Sequence, residues 1–167
     1  MAKNFSKKDM IKLQNLLRKS KKTITTAESC TGGLVASMIT KISGSSDIFN
    51  GSIVTYSNSI KNKEIGVLNE SLDKFGAVSK QVVSEMLDGA LKKFGADFAI
   101  AISGIAGPNG GTKNKPVGTI VIGIASNNNI KKIKTYDLKG SRISIQKQSA
   151  NIALSKILKF VSKTIDN

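Results

Sequence analysis

Two stretches of this chain, residues 98–103 (FAIAIS) and 117–125 (VGTIVIGIA), are apolar almost without interruption, and a glycine-rich segment, 104–116, lies between them. Neither alternates polar with apolar residues, so neither reads as a strand with one face in water. A strand that is apolar on both faces must be covered on both. Both stretches are also far short of the ~20 residues that a membrane span requires. The rest of the chain supplies the covering layers. Ser6 opens a helical pattern with a stripe of Met10, Ile11, Leu13, Leu16 and Leu17. Residues 23–28 and 53–56 read as short strands, and 58–65 as a short helix. Leu34, Val35, Met38, Ile39 and Ile42 share a helical face that ends at Gly44. Residues 81–94 carry one clean apolar face with Gly95 as C-cap. Asn127, Asn128 and Asn129 mark a hairpin into 131–138, which alternates like an edge strand, and a last helix runs from about Ser141 to Ser162. The expected architecture is α/β: a three-layer α/β/α sandwich with a mostly parallel central sheet and an antiparallel edge hairpin, one domain over residues 1–167.

Composition then removes whole classes of chemistry. The sequence has no histidine and one cysteine, Cys30. A Ser-His-Asp triad, a Cys-His pair and a histidine-ligated metal are excluded, as are an internal disulfide and a thiolate cluster. No metal and no cofactor is called for. The lone cysteine fits a reducing compartment, so a cytoplasmic location is expected. The N-terminal MAKNFSKKDMIK has early positive charge without an apolar run behind it and does not read as a signal peptide. The formal charge of +15 raises nucleic acid as a partner. Against it, only Arg18 and Arg142 among the 26 basic residues are arginine, aromatics are 5%, and tryptophan is absent. Base reading and base stacking both want what is missing. Abundant Lys, Ile and Asn fit codon drift, and a general attraction for small anions remains.

Two glycine-bearing turns sit at expected strand ends. In the first, TAESCTGG over 26–33, a strand delivers Ser29 to the start of a helix. Unpaired N–H groups near Thr31, Gly32 and Gly33 there would meet the oxyanion formed when a hydroxyl attacks a carbonyl. Read from the residues alone, Ser29 or Thr31 serves equally well as a helix cap. In the second, SGIAGPNGGT over 103–112, Gly104 and Gly107 belong to a loop whose N–H groups could cradle a phosphate. Its spacing is neither that of a Walker A loop nor of GxGxxG, and a plain connection is the other reading.

A serine nucleophile without histidine requires another base, and a desolvated lysine can serve. Ser-x-x-Lys occurs at 71–74 and 144–147, as chance allows in so lysine-rich a chain. Lys61, just beyond the VTYSN stretch at 54–58, is better placed, at the same sheet end if the strands run parallel. Glu28 could orient a basic group or neutralise one.

TAESCTGG (26–33), VTYSN (54–58), GAVS (76–79), SGIAGP (103–108) and KPVGT (115–119), in this order, resemble the CinA C-terminal-domain family over nearly the whole chain. The resemblance is to the stand-alone form, without the N-terminal domain of longer members. It implies an amidohydrolase that converts nicotinamide mononucleotide (NMN) and water to nicotinate mononucleotide and ammonia, with no metal. It also implies Ser29 as nucleophile, Lys61 as base, and Tyr56 and Ser103 as supporting hydroxyls. Arg142 would meet the substrate phosphate or orient the site, and the loop with Gly104 and Gly107 would help hold the ribose phosphate. A homodimer is the expected assembly. Relatives often carry Asp where this chain has Ser141, and a further arginine where it has Gln146. Cys30 is the second choice of nucleophile. The competing class is a non-catalytic nucleotide- or DNA-associated, competence-linked binding protein, and a third reading is an amidase for another small carboxamide.

Overall fold

In the computed structural model, which describes residues 4–165, five strands and six α-helices follow one another, all but one helix as the periodicities imply. They are α1 (Lys7–Lys19), β1 (Ile24–Glu28), α2 (Leu34–Thr40), β2 (Phe49–Val54), α3 (Asn58–Ile65), α4 (Asn69–Phe75), α5 (Lys80–Phe94), β3 (Phe98–Gly104), β4 (Thr119–Ser126), β5 (Lys131–Asp137) and α6 (Arg142–Ile165). The first three residues of the basic N-terminal stretch and the last two of the chain lie outside the described residues. The strands form one sheet in the order β2-β1-β3-β4-β5. β1 pairs parallel with β2 and β3; β4 runs antiparallel to both β3 and β5. Four of the five strands therefore point the same way.

The two apolar stretches are neighbours at the heart of this sheet. Every residue of β4 is buried, as are the first six of β3. Side chains alternate across the sheet plane. On β3 this sends Phe98, Ile100 and Ile102 into a core with α1, α2 and α6, and Ala99 and Ala101 into a second core with α5. The bulky residues fill the wider layer, and the alanines let α5 settle close. Gly123 on β4 extends the same logic, because a Cβ there would lie 2.7 Å from Val83 and 2.8 Å from Leu87.

Helix ends obey their local chemistry. Ser6 caps α1 in a capping box with Asp9. Ser79 accepts from the Val82 N–H at the start of α5, and Gly95 ends that helix at φ +57. Two elements differ from the sequence expectation. β2 begins at Phe49 and stops at Val54, where 53–56 was the predicted strand. Its early residues, Asn50, Gly51 and Ser52, are poor strand formers held by the Phe94 ring lying against Gly51, and its far end stops where the Thr55 carbonyl turns to accept from Lys61. Helix α4 was not expected, since its polar sequence buries only Ser71 and Leu72.

The chain leaves β1 on one side of the sheet to reach β2, then crosses to reach β3 on the other side of β1. The carboxyl end of β1 is thus the switch point, where open α/β sheets form their ligand crevice. Glu28 pairs with Val54 and Ile102, so Ser29, Thr55 and Ser103 emerge together there.

Helix α3, which carries Lys61, is seated by Gly89 of α5. A Cβ at Gly89 would fall 1.9 Å from the Ile65 carbonyl oxygen. In an open helix Gly→Ala gains ~1 kcal/mol; here the sign reverses. Gly89→Ala is expected to destabilise the fold by about 1–3 kcal/mol, read as a lower melting temperature. An unchanged or raised melting temperature would contradict this packing.

Candidate active site

Lys61 is the largest fully buried side chain in the described structure, at 1% exposure. Ser57 caps α3 through the Ile60 N–H, and the helix turns Lys61 and Ile65, one turn apart, inward. The Lys61 Nζ lies 3.2 Å from Ser29 Oγ, 2.7 Å from the Thr55 carbonyl oxygen and 3.5 Å from that of Tyr56. None of the ion pairs among the described residues includes it. Burial without a counter-charge pushes its pKa below the ordinary 10.5, opposed only weakly by Cys30. A neutral amine has two N–H groups and one lone pair. In the charged form Nζ donates to both carbonyls and to Ser29 Oγ; in the neutral form the two carbonyls can keep the N–H groups while the lone pair faces the Ser29 hydroxyl.

Ser29 is fixed from both sides. Its N–H donates to the Ile102 carbonyl of β3, and its carbonyl accepts from the Gly32 N–H. Glu28, fully buried, organises the turn that follows. Its carboxylate accepts from the Thr31 hydroxyl at 2.7 Å, from the Val35 and Ala36 N–H groups at 2.9 and 3.0 Å, and from the Thr26 hydroxyl at 3.3 Å. Its role is to cap α2, in place of the two roles toward a basic group considered from the sequence. Glu28 thus takes the Val35 and Ala36 N–H groups of the helix start, and of the three N–H groups read as oxyanion donors that of Gly32 goes to the Ser29 carbonyl.

A cavity of about 250 Å³ opens onto Ser29 and Lys61 and is bordered by Tyr56, Asn58, Ser103, Gly104, Gly107 and Arg142. The structure thus gathers seven of the ten site residues named from the sequence around one space. Thr31, Gly32 and Gly33 line a neighbouring cavity of about 460 Å³ with Gln146 and Lys147. Gln146 donates to the Cys30 carbonyl at 2.8 Å, so it braces the Ser29 turn from α6. Neither supporting hydroxyl bonds Ser29 or Lys61: Ser103 donates to the Ala77 carbonyl, and the Tyr56 hydroxyl accepts from Arg142. Gly104 ends β3, where a Cβ would strike Ile120 at 2.3 Å, and Gly107, at φ +80, would strike Val117 at 2.4 Å. Close packing is the first reason for both glycines.

Arg142 opens α6 and spans the mouth, donating to the Gly107 carbonyl at 2.7 Å and to the Tyr56 hydroxyl at 2.8 Å. A guanidinium has five N–H donors, so three remain for an anion. Cys30 packs into the core at 5% exposure, and burial pushes its thiol up to about 12. That makes it a poor nucleophile at neutral pH. No group of three or more acidic, histidine or cysteine residues suited to a metal occurs among the described residues. Sequence reasoning missed Asn58 and Asn109, which border the cavity, and the brace from Gln146.

The fold recurs in known proteins. The model of the CinA C-terminal domain matches residues 7–161, and the chain belongs to that family. A CinA-like protein of Prochlorococcus marinus is 53% identical over 143 residues, covering 84% of this chain and 34% of its own length. Another, from Fervidobacterium nodosum, is 47% identical over 148 residues, covering 89% and 36%. The chain thus spans about a third of the length of these curated relatives. Among solved structures, the competence/damage inducible protein CihA of Agrobacterium tumefaciens superposes with a TM-score of 0.84 at 36% identity, covering 90% of this chain and 94% of its own. A CinA superfamily protein from Klebsiella pneumoniae gives 0.89 at 29%, covering 93% and 97%.

The depressed pKa of Lys61 has a consequence for stability. The unfolded chain binds its proton up to about 10.5, and the folded chain releases it earlier. Unfolding stability therefore rises with pH between those two values on account of Lys61. The Lys61→Met variant lacks this rise. Its melting temperature relative to wild type is expected to fall as the pH rises from the lowered folded-state value toward ~10; a constant difference would contradict a lowered pKa. Cys30 is expected to resist iodoacetamide in the folded protein at pH ~8, and rapid alkylation would contradict its burial.

Proposed function

We propose that this protein is a hydrolase of the carboxamide of NMN, releasing nicotinate mononucleotide and ammonia by a serine–lysine mechanism. The observation that carries the reading is the 3.2 Å contact between Ser29 Oγ and a buried Lys61 amine that no carboxylate holds. A binding module has no use for an arrangement that is costly to bury and is poised to take a hydroxyl proton.

Lys61 accepts the Ser29 proton as Oγ attacks the carboxamide carbon. The charge that develops on the carboxamide oxygen is met by backbone N–H groups at the cavity wall. Those of Ala106 and Gly107 donate to no protein acceptor among the described residues. Lys61 then returns the proton to the departing nitrogen, which leaves as ammonia with an acyl-serine behind it. Water enters, gives a proton to Lys61 and attacks the ester carbon, releasing the carboxylate and restoring the Ser29 hydroxyl. Arg142 uses its spare donors for the phosphate, and its existing bonds to Gly107 and Tyr56 hold it in place. Tyr56 and Ser103 support walls of the cavity.

Ser29→Ala is expected to reduce ammonia release from NMN by ~10³-fold or more in kcat, and normal turnover by it would overturn the assignment. Lys61→Met is expected to lose turnover while NMN binding persists by calorimetry. Free nicotinamide and glutamine, assayed beside NMN, separate this activity from another amidase. Shift of duplex DNA at near-physiological salt without ammonia release would favour the competence-linked binding protein instead.

A further inference from the structure

Most polar side chains bordering the cavity at Ser29 and Lys61 are already bonded within the protein. The Lys61 amine meets Ser29 and two carbonyls, Ser103 donates to the Ala77 carbonyl, and the Tyr56 hydroxyl accepts from Arg142. Arg142 also donates to the Gly107 carbonyl, and its charge suits its spare donors to a phosphate. Cys30 packs into the core. Two side chains remain. Asn58 and Asn109 border the same cavity and are exposed. Among the described residues, neither side-chain amide has a hydrogen-bond partner.

Chain neighbours place both amides between the two ends of the site. Asn58 follows Tyr56, whose hydroxyl holds Arg142 at the mouth, and precedes Lys61, whose amine meets Ser29. It opens α3, one turn or about 4.5 Å of helix rise before Lys61. Asn109 comes from a separate element, the loop after β3, just past the Gly107 carbonyl that also holds Arg142. A neutral amide has two N–H donors and a carbonyl with two lone pairs. It complements a group that is itself uncharged and that both donates and accepts. A phosphate dianion only accepts, and Arg142 already faces it with charge. The carboxamide donates and accepts, but its oxygen and nitrogen are served by the backbone N–H groups of the wall and by Lys61. In a nucleotide with its carboxamide at Ser29 and its phosphate at Arg142, the ribose lies between them. Its 2′- and 3′-hydroxyls each donate and accept.

We infer that Asn58 and Asn109 recognise the ribose of the substrate, binding its 2′,3′-diol from two separate elements and selecting ribonucleotide carboxamides over the free base. The inference rests on the reading of Ser29 and Lys61 as the centre of an NMN hydrolase. The reacting carbon is served by Ser29 and Lys61; the two asparagines determine which carboxamide reaches it. Bonds to the diol form equally in the bound substrate and in the transition state, so they act on KM rather than on kcat.

The test measures steady-state ammonia release by wild type, Asn58→Ala and Asn109→Ala, each with NMN and with its 2′-deoxy and 3′-deoxy analogues. Both side chains are exposed and neither position has a positive φ, so the variants are expected to fold, with melting temperatures like that of wild type. Each variant is expected to raise KM for NMN by ~3–10-fold, the worth of one neutral hydrogen bond, with kcat within ~2-fold of wild type. That loss is expected to vanish with the analogue lacking the hydroxyl that the residue meets, so the losses from variant and analogue do not add. A merely structural role would cost the same factor on all three substrates. Equal KM for wild type and both variants, or the same loss on NMN and on both deoxy analogues, would overturn the ribose assignment, and wild-type turnover of NMN would then leave the reading of Ser29 and Lys61 intact. Failure of wild type to release ammonia from NMN would overturn both.

Discussion

A primary amine enclosed in protein without a counter-charge is the constraint around which the carboxyl end of this sheet is arranged. Lys61 is kept there by geometry. Ser57 starts α3, Gly66 ends it, and the Thr55 carbonyl is diverted from the β2 ladder to the amine. Removing a full ammonium from water costs several kcal/mol, so the neutral amine is the form that burial favours. Among the described residues, Ser29 carries the one hydroxyl within hydrogen-bond distance of it. The acceptor carbonyls after β2, the serine after β1 and the lysine on α3 come from three different segments, which is why the arrangement needs the parallel half of the sheet behind it.

Glu28 performs the complementary task on the other side of Ser29. Its backbone carbonyl accepts from Thr55, and its carboxylate binds the Thr31 hydroxyl and the start of α2. One residue therefore ties the serine turn to the segment that holds the lysine. Gln146 adds a third point of support from α6, the helix whose first residue is Arg142. Nucleophile, base and cationic clamp thus sit on separate elements that share the same braces.

Much of this was legible in the sequence because it follows short-range rules. The buried stretches at β3 and β4, the Ser6 and Ser79 caps and the Gly95 terminus all announce themselves by residue type and spacing. Ser29 and Lys61 were candidates because histidine is absent and both flank strand ends, but their roles as nucleophile and base were implied by the resemblance of the motifs around them to the CinA C-terminal-domain family. What could not be read was the partner of each polar group. Glu28 sits in a β-branched stretch with nothing to indicate that its carboxylate curls forward to residues 31, 35 and 36. Thr31, Gly32 and Gly33 looked like donors for Ser29 chemistry, yet the turn carries them to the neighbouring cavity. α4 escaped notice because burying two residues leaves almost no period, and the early part of β2 because tertiary packing against Phe94 overrides its poor propensity.

The central claim is that burial without a counter-charge lowers the pKa of Lys61, and it can be measured directly. The protein is labelled with ¹³C at lysine Cε, and the resonances are titrated by NMR, with Lys61→Met used to assign the signal that disappears. The account predicts that the Lys61 signal titrates below the ordinary 10.5 and apart from the other lysine signals. A Lys61 signal that moves with the others would contradict it.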